Sequence, residues 1–327
     1  GFKALGVGEG VQEVRVNNFT KHAKRAMYEI KTALGKKIKI TENHKFLIDN
    51  KEKRASNLKI GDELPLPYKI DIKEERLDEI NLAEELRHEN FMIRNINFII
   101  NKIDKHEIKK ILKKIRISKR GFQNYKIRDS YPVDFVLNLK ERYKKEIYKK
   151  GRIACKRDNV SVPILINMDN DLMEVIGLYV AEGYSRSVVS RKGLNQVYIA
   201  ADDKEVRNFI KKVILNYFGL KPSENKQDRV TFSSKILYLF FNKILKAGSR
   251  ARDKRVPYLF FNIGKEKLAS FLRGYFEGDG SAEQKRKKVS CDTISEGLLY
   301  DLEFCLSRFG IFEKRYEYEK QPGQKLK

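Results

Sequence analysis

The chain has 327 residues, 41% of them hydrophobic, and is long enough for two domains that each bury a core. Its 69 Lys and Arg exceed its 44 Asp and Glu, and the net charge of +25 favours a polyanionic partner over a merely solvated Lys-rich surface. Three cysteines without CxxC spacing argue against a zinc site or a disulfide framework and favour a reducing compartment. No apolar run approaches the roughly 20 residues of a membrane span, so we expect an intracellular protein without a membrane partner.

The first part of the chain, residues 10–66, has the pattern of short strands broken by turns. Residues 26–33 and 36–40 flank a Leu34-Gly35 turn, which predicts a hairpin. Two prolines in residues 58–67 favour a strand end or a sheet edge. We therefore expect a small, β-rich region.

From about residue 74 the pattern becomes charged and helical. Residues 74–105 and 106–116 have apolar residues at helical spacing, and residues 132–149 open with a proline near a helix start. Residues 102–157 are strongly basic, whereas residues 151–163 have no clear period and predict an irregular connection. Residues 102–157 are either an extra insert that contacts the polyanionic partner or a solvated helical linker.

An internal repeat follows. Two apolar helices each carry small residues four apart, then an acid and a glycine: Gly177, Ala181, Glu182 and Gly183 in the first, and Gly274, Gly278, Asp279 and Gly280 in the second. Small residues at this spacing share one helix face, so the two helices can approach backbone to backbone. We expect each terminal glycine to supply a C-cap. The two acids should then lie close together.

The segments after these helices also match. Residues 196–200 predict a strand before a helix from Lys204 to Phe218, and residues 289–292 predict a strand before a helix from Ser295 to Phe309. The two copies therefore form a duplicated helix–strand–strand–helix unit. The second copy is expected to be incomplete, because its equivalent of Lys254 would lie beyond residue 327.

Paired carboxylates in a basic protein repel each other unless a cation lies between them. Oxygen ligands favour a hard divalent ion, most naturally Mg²⁺ with Mn²⁺ as a substitute, bound by Glu182 and Asp279. Such an ion can activate water and stabilise a leaving oxygen at a phosphodiester. Lys254 either offsets developing negative charge beside them or is one of many surface lysines.

These residues resemble the LAGLIDADG (dodecapeptide, DOD-type) homing endonucleases. Residues 175–183 and 271–280 look like the two signature helices, and the resemblance covers residues 170–327. It implies an αββαββα endonuclease with pseudo-two-fold halves, whose saddle-shaped sheets lie in the major groove of a long double-stranded DNA target. Glu182, Asp279 and Lys254 match the family's metal-binding acids and basic residue. The first motif departs from the signature in Glu182, where Asp is usual, and in Val180, where an acid is usual.

The N-terminal part carries a second resemblance. Residues 35–46 look like the Thr-x-x-His segment of inteins, and residues 58–67 look like the strand that follows it. This implies that Thr41 and His44 assist the N-terminal acyl shift of protein splicing, since an imidazole can move protons near neutral pH. Residue 1 is Gly, where an intein has Cys or Ser, and residues 321–327 lack a terminal His-Asn. We expect a piece truncated at both ends, unable to splice alone, most like inteins of archaeal family B DNA polymerases.

The expected fold class is α+β. It comprises a partial, all-β Hint (splicing) domain at 1–70 and a LAGLIDADG endonuclease at 166–327 whose second half is incomplete. Between them, residues 71–165 are a basic helical insert or linker, in which a DNA-recognition region is one of the two alternatives. Basic residues between paired strands are candidates for contacts with phosphates and base edges: Arg186, Arg191, Lys192, Lys285, Arg286, Lys287 and Lys288.

The predicted function is an intein-encoded, site-specific homing endonuclease that hydrolyses both strands of its target. It acts as a monomer, with a host extein protein in cis. Two alternatives stay open: an intein remnant whose nuclease has decayed, and a protein of the same scaffold that only binds DNA or RNA, such as a maturase or a regulator.

Overall fold

A computed structural model describes residues 3–7, 11–21, 23, 27–49, 51–66, 69–188, 194–225 and 227–318. The chain divides into two compact units, residues 1–73 with 302–327, and residues 74–301. The domain boundaries expected from the sequence stay a prediction. None of the helices in the described ranges is both long enough and apolar enough to cross a membrane.

The described residues of the first unit form three antiparallel hairpins: β1 (Lys3–Val7) with β2 (Val11–Arg15), β3 (Met27–Lys31) with β4 (Lys37–Thr41), and β5 (Lys45–Ile48) with β6 (Lys51–Arg54). The hairpin expected around Leu34-Gly35 is present. Gly35 adopts a left-handed φ of +77°, and a Cβ there would lie 2.4 Å from the Arg315 carbonyl oxygen. Lys36 forms a 2.6 Å ion pair with Glu313 in the same unit. The turn is thus held by backbone geometry and by the later segment.

The second unit begins with a mixed helical and stranded part. Its elements are β7 (Glu79–Asn81), α1 (Leu82–Glu85), β8 (Phe91–Arg94), α2 (Asn97–Ile100), α3 (Lys105–Lys114), α4 (Lys119–Ile127), β9 (Ser130–Pro132), α5 (Val133–Leu137), α6 (Glu141–Lys150), β10 (Arg152–Cys155), β11 (Ser161–Pro163) and β12 (Leu165–Asn167). The order β11-β10-β8-β9 forms one sheet, and β12 pairs with β7.

Two expectations for this part were wrong. Residues 74–105 contain two strands besides two short helices, because Phe91, Met92 and Ile93 are buried in succession at the centre of a sheet. Residues 151–163 are an ordered antiparallel pair, β10 with β11, in which Ile153 lies opposite Val162. Short apolar runs fit a strand as well as a helix, and tertiary burial decides between them.

The remainder of the second unit contains the repeat. The first copy comprises α7 (Asn170–Glu182), β13 (Gly183–Val188), β14 (Leu194–Ala200), α8 (Lys204–Phe218), β15 (Ser223–Glu224), β16 (Arg229–Ser233) and α9 (Lys235–Leu239). The second copy comprises α10 (Lys265–Asp279), β17 (Gly280–Glu283), β18 (Lys288–Cys291) and α11 (Glu296–Ser307), of which the residues from Leu302 onward are assigned to the first unit. The duplicated helix–strand–strand–helix order is confirmed, and α8 spans the predicted residues before the left-handed Gly219.

Helices α7 and α10 pack in direct backbone contact. A Cβ at Gly177 would lie 2.1 Å from the Phe271 carbonyl oxygen, and a Cβ at Gly274 would lie 2.0 Å from that of Glu174. Both distances are far below van der Waals contact, so only glycine allows this approach. Around the contact, apolar side chains of both helices form the core: Leu172, Val175, Ile176, Leu178, Leu268, Phe271 and Tyr275.

The glycines at the helix ends are the C-cap residues, as expected: the Gly183 N–H donates to the Tyr179 carbonyl oxygen and the Gly280 N–H to that of Phe276. Gly183 and Gly280 are extended, with φ of −84° and −81°, so neither forms a left-handed C-cap. A Cβ at Gly183 would lie 2.3 Å from the Tyr179 carbonyl oxygen, and one at Gly280 would lie 2.1 Å from that of Phe276. These glycines let each helix pass straight into the first strand of its hairpin.

Candidate functional site

The close helix pair brings the last residues of α7 and α10 together. A Cβ at Gly278 would lie 3.3 Å from Cγ of Glu182, which places the Glu182 side chain against the last turn of α10, next to Asp279. Asp279 is half-buried, whereas Glu182 is exposed. Burial raises the pKa of Asp279 to about 6, and the nearby Glu182 carboxylate adds to this rise. Burial also raises the pKa of Glu182, with a further contribution from Asp202. The site therefore concentrates negative charge where water solvates it poorly.

Lys254 lies at the same place and is only 2% exposed. Its ammonium donates to the Tyr179 carbonyl oxygen at 2.6 Å and lies 3.6 Å from the centre of the Tyr179 ring. Burial lowers the pKa of Lys254 to about 7, whereas Asp279 and Glu182 act in the opposite direction. The sequence left open whether Lys254 is a surface lysine, and the structure shows that it is buried beside both acids.

Both halves of the repeat hold the backbone around Lys254. Gly248, with a left-handed φ of +83°, turns the chain so tightly that a Cβ would lie 2.1 Å from the Asp253 carbonyl oxygen. The Ser295 hydroxyl donates to the Lys254 carbonyl oxygen at 2.8 Å. Next to it, Arg255 donates twice to Asp301 of α11, at 2.6 and 2.8 Å. The lysine is thus positioned by rigid elements.

The donor set suits a hard divalent cation. Two carboxylates converge, and burial together with mutual repulsion disfavours their charged forms until a cation neutralises them. Among the described residues, no group of three or more His, Cys, Asp or Glu is arranged to hold a metal. Mg²⁺ commonly uses one or two carboxylates, with waters and substrate phosphates as its other ligands. Glu182 and Asp279 fit that pattern.

An open sheet face continues from the helix ends. Alternation along β13, β14 and β16 leaves Tyr184, Arg186, Gln196, Tyr198, Thr231 and Ser233 on the side opposite the core. The Arg186 guanidinium donates to the Gln196 side-chain oxygen at 2.8 Å and lies 5.4 Å from the centre of the Tyr198 ring. The face thus combines aromatic rings with donors and acceptors.

The predicted DNA-contact residues occupy several kinds of backbone. Arg186 was expected in a loop but lies inside β13, because the pairing of β13 with β14 extends to Val188. Lys285 and Arg286 lie in a 3-10 turn, Lys287 is left-handed at φ +47°, and Lys288 opens β18. All four are exposed. Arg191 and Lys192 lie outside the described residues.

Three residues near the site were missed from the sequence. Tyr179 contacts Lys254 through its carbonyl oxygen and its ring. Asp202 and Asp292 each raise the pKa of the acid in their own half. Asp202 lies two residues after β14 and Asp292 directly follows β18, so each carboxylate comes just after the second strand of its hairpin.

Thr41 and His44, singled out for splicing, lie in the first unit. Thr41 ends β4 opposite Met27. The His44 backbone N–H donates to the Thr41 carbonyl oxygen at 3.0 Å, and its ring packs edge-on against Phe46 with centroids 5.3 Å apart. The His44 side chain is exposed. The two residues are therefore neighbours in one turn.

Known proteins with similar sequences agree with both resemblances. The family model for the intein splicing domain matches residues 6–289, and the model for the LAGLIDADG-like domain matches residues 266–326. The DNA polymerase II large subunit of Thermococcus kodakarensis is 32% identical over 286 residues, 86% of this chain and 15% of that protein. An uncharacterised protein of Methanocaldococcus jannaschii is 30% identical over 298 residues, 85% of this chain and 32% of that protein.

Among solved structures, the crystal structure of I-DmoI in complex with DNA and Mn aligns with 44% of this chain and 80% of its own, at 15% identity and a TM-score of 0.34. That likeness is too low to support an argument. The chain spans less than a third of either sequence relative described above. The family matches, one of which covers most of the chain, confirm both resemblances: the chain belongs to the inteins and carries a LAGLIDADG-like domain.

Proposed function

We propose that this chain is a metal-dependent endonuclease inside an intein, which hydrolyses both strands of a long DNA target. The observation that carries the proposal is the meeting of Glu182 and Asp279 at the ends of two glycine-packed helices, beside the buried Lys254. A module that only binds DNA does not need two neighbouring carboxylates whose pKa values are raised. The alternative of a binding-only protein is therefore disfavoured.

Each of the three side chains has a distinct role in this proposal. Glu182 and Asp279 hold the cation, which when bound polarises the phosphodiester and lowers the pKa of a bound water. Lys254, with its pKa lowered to about 7, can keep its proton to offset charge developing on the phosphate, or exchange it with the attacking water. The Tyr179 carbonyl oxygen accepts a hydrogen bond from the Lys254 ammonium and holds it in position.

The test is cleavage of a duplex made from the coding sequences that flank this segment in its gene, joined without it. We expect cutting with Mg²⁺ or Mn²⁺ and none with EDTA. Asp279→Asn and Glu182→Gln should each abolish cutting while changing DNA affinity little. Glu277→Gln, an exposed acid two residues away on the same helix, is the matched control and should cut normally. Normal cutting by Asp279→Asn would contradict the assignment of Asp279 to the nuclease site.

We further propose that the intein splices a host protein in cis, with Thr41 and His44 acting at the upstream junction. Their adjacency in one turn supports this, since an exposed imidazole is free to contact a junction peptide. The host we propose is a DNA polymerase, as in the Thermococcus relative. When the segment is expressed together with the coding sequence that flanks it on both sides in its gene, the two flanking parts of the host protein should become ligated. His44→Ala should block that ligation, whereas His88→Ala, an exposed histidine of the other unit, should not.

One chain supplies both carboxylates, so we propose that the nuclease acts as a monomer. A single chain then presents two different halves to the DNA, which suits a target without full two-fold symmetry. Light scattering should give one chain per duplex at the concentration that cuts. Cutting that rises with the square of protein concentration would contradict a monomer.

A further inference from the structure

The nuclease site leaves one strongly basic feature of the second unit unexplained, the pair α3 and α4. A four-residue turn, 115–118, joins them. Arg116 adopts a left-handed φ of +57°, and the Ile117 N–H donates to the Leu112 carbonyl oxygen at 2.9 Å, which closes α3. The Ser118 hydroxyl accepts from the Gly121 N–H at 3.0 Å and caps α4. Two helices joined by a turn of this length have the element order of a helix-turn-helix.

One face of α4 is anchored firmly. Phe122 is buried, with ring centroids 5.9 Å from Tyr131 and 5.4 Å from Phe135. At the end of the helix, the Asn97 side chain donates to the Lys126 carbonyl oxygen at 2.9 Å, and the Asp129 carboxylate accepts from the Asn97 N–H at 2.9 Å. The opposite face is therefore presented to solvent by a fixed helix.

That exposed face, which we call the α4 face, consists of Lys119, Arg120, Gln123, Asn124 and Ile127. Ile127 is 81% exposed. In the described parts of the chain, no ion pair or side-chain hydrogen bond occupies any of these five. Arg or Lys can bind guanine edges, Asn or Gln adenine edges, and an apolar group the thymine methyl.

The surroundings of α4 carry the charge that DNA requires. Residues 102–128 contain eleven Lys and Arg against two acids. On α3 the exposed members include Lys109, Lys110, Lys113 and Lys114. Lysines flanking a groove-reading helix contact phosphates, which position the duplex without reading its sequence.

The helix pair is also tied to the nuclease scaffold. Glu89, in the same part of the unit, forms ion pairs with Lys235 at 3.3 Å and with Lys243 at 2.8 Å, just after the first copy's hairpins. Arg152 donates to the Phe218 carbonyl oxygen at 3.4 Å. Bases bound by α4 would therefore lie at a fixed spacing from the cleavage site.

We propose that α3 and α4 form a helix-turn-helix whose α4 face lies in the major groove of double-stranded DNA, as a second reading element beside the hairpin sheets. This proposal rests on the proposed function in one respect: it takes α4 and the hairpin sheets to bind the same DNA duplex. An α-helix fits the major groove, which is about 12 Å wide. The target would then contain a separate block of specified bases away from the cut.

The experiment selects binding sites for the whole chain from a duplex library with a random central segment, in EDTA so that nothing is cut. We compare wild type with the triple variant Arg120→Ala/Gln123→Ala/Asn124→Ala. The matched control is Lys145→Ala/Lys149→Ala, which removes exposed charge from α6 in the same part of the unit. Because every changed side chain is exposed, circular dichroism should be unchanged.

We expect wild type and the control to select two blocks of specified bases, and the triple variant to lose one of them. On the selected duplex the triple variant should bind at least tenfold more weakly, yet equally well on a scrambled duplex. Arg120→Lys, which keeps the charge, should relax base preference without changing the salt dependence.

Identical selected sequences for wild type and triple variant would overturn the proposal. So would equal weakening on selected and scrambled DNA, or tighter binding to single-stranded RNA than to the selected duplex. Cutting of the selected duplex in Mg²⁺ is scored separately with Glu182→Gln. A nuclease failure and a helix-turn-helix failure are thus told apart.

Discussion

Gly274→Ala is the sharpest test of the helix pair that forms the site. The new Cβ would lie 2.0 Å from the Glu174 carbonyl oxygen and 2.8 Å from the carbonyl carbon, both backbone atoms that cannot swing away. Restoring ordinary contact requires the helices to separate by more than 1 Å. Overpacking of this kind costs about 3 kcal/mol, and the better helix propensity of alanine offsets about 1 kcal/mol. The net loss of about 2 kcal/mol corresponds to a fall in Tm of roughly 4–8 °C for a unit of this size.

Thermal and urea unfolding measure this effect, and Glu277→Ala is the control on the same helix. Glu277 is exposed, so its replacement should change stability by less than about 0.5 kcal/mol. Gly177→Ala would place a Cβ 2.1 Å from the Phe271 carbonyl oxygen across the same interface. Once one substitution has separated the helices the second meets less resistance, so the double variant should lose less than the sum. A Gly274→Ala variant as stable as wild type, or strictly additive losses, would refute backbone contact as the reason for these glycines.

Three further predictions concern the charged groups. Asp279 has a raised pKa of about 6, so the folded state holds its proton more tightly than the unfolded state does. The free energy of unfolding should therefore fall as pH rises from about 4 to 6. In unfolding curves measured across this pH range, Asp279→Asn should remove that fall. Lys254 has a lowered pKa of about 7, so the unfolded state binds more protons than the folded state above that pH. The free energy of unfolding should therefore rise between about pH 7 and 10. Lys254→Met should flatten this rise and abolish cutting, and a variant that keeps the rise would contradict the lowered pKa of Lys254. Lys285, Arg286, Lys287 and Lys288 are exposed, and replacing them by Ala should weaken the salt dependence of DNA binding. The slope of log affinity against log salt, measured by fluorescence anisotropy, should become shallower by about 0.9 for each phosphate that is no longer neutralised. An unchanged slope would show that these residues bind no phosphate.

The sequence predicted the repeat well because its signals are local. Small residues four apart on one helix face allow two helices to meet closely. The Phe218-Gly219 pair ends α8 with a left-handed glycine, as predicted. The acids follow these helices directly, so their meeting could be inferred without knowing any other contact. Local pattern and tertiary packing agree at these positions.

Elsewhere the decisive information was not local. Phe91, Met92 and Ile93 form a strand because neighbouring strands cover both sides of β8, which periodicity cannot reveal. The buried position of Lys254 depends on Ser295 and Asp301 of the second copy, far along the chain. Asp202 and Asp292 reach the acids only through strand pairing, since Gly280 lies opposite Cys291 and brings Asp292 next to Asp279.

The shape of the site follows from combining these two kinds of information. The glycine contact fixes the distance between the two acids, whereas Lys254 is held by Tyr179 on one side and by the second copy on the other. Both carboxylates and the ammonium are thereby kept in positions where burial opposes their charged forms. A cation held by Glu182 and Asp279 would relieve the unfavourable charge of the pair. Binding of substrate and metal should therefore stabilise the folded unit markedly, and more in wild type than in Asp279→Asn, because only the wild-type carboxylate releases that strain when the cation binds.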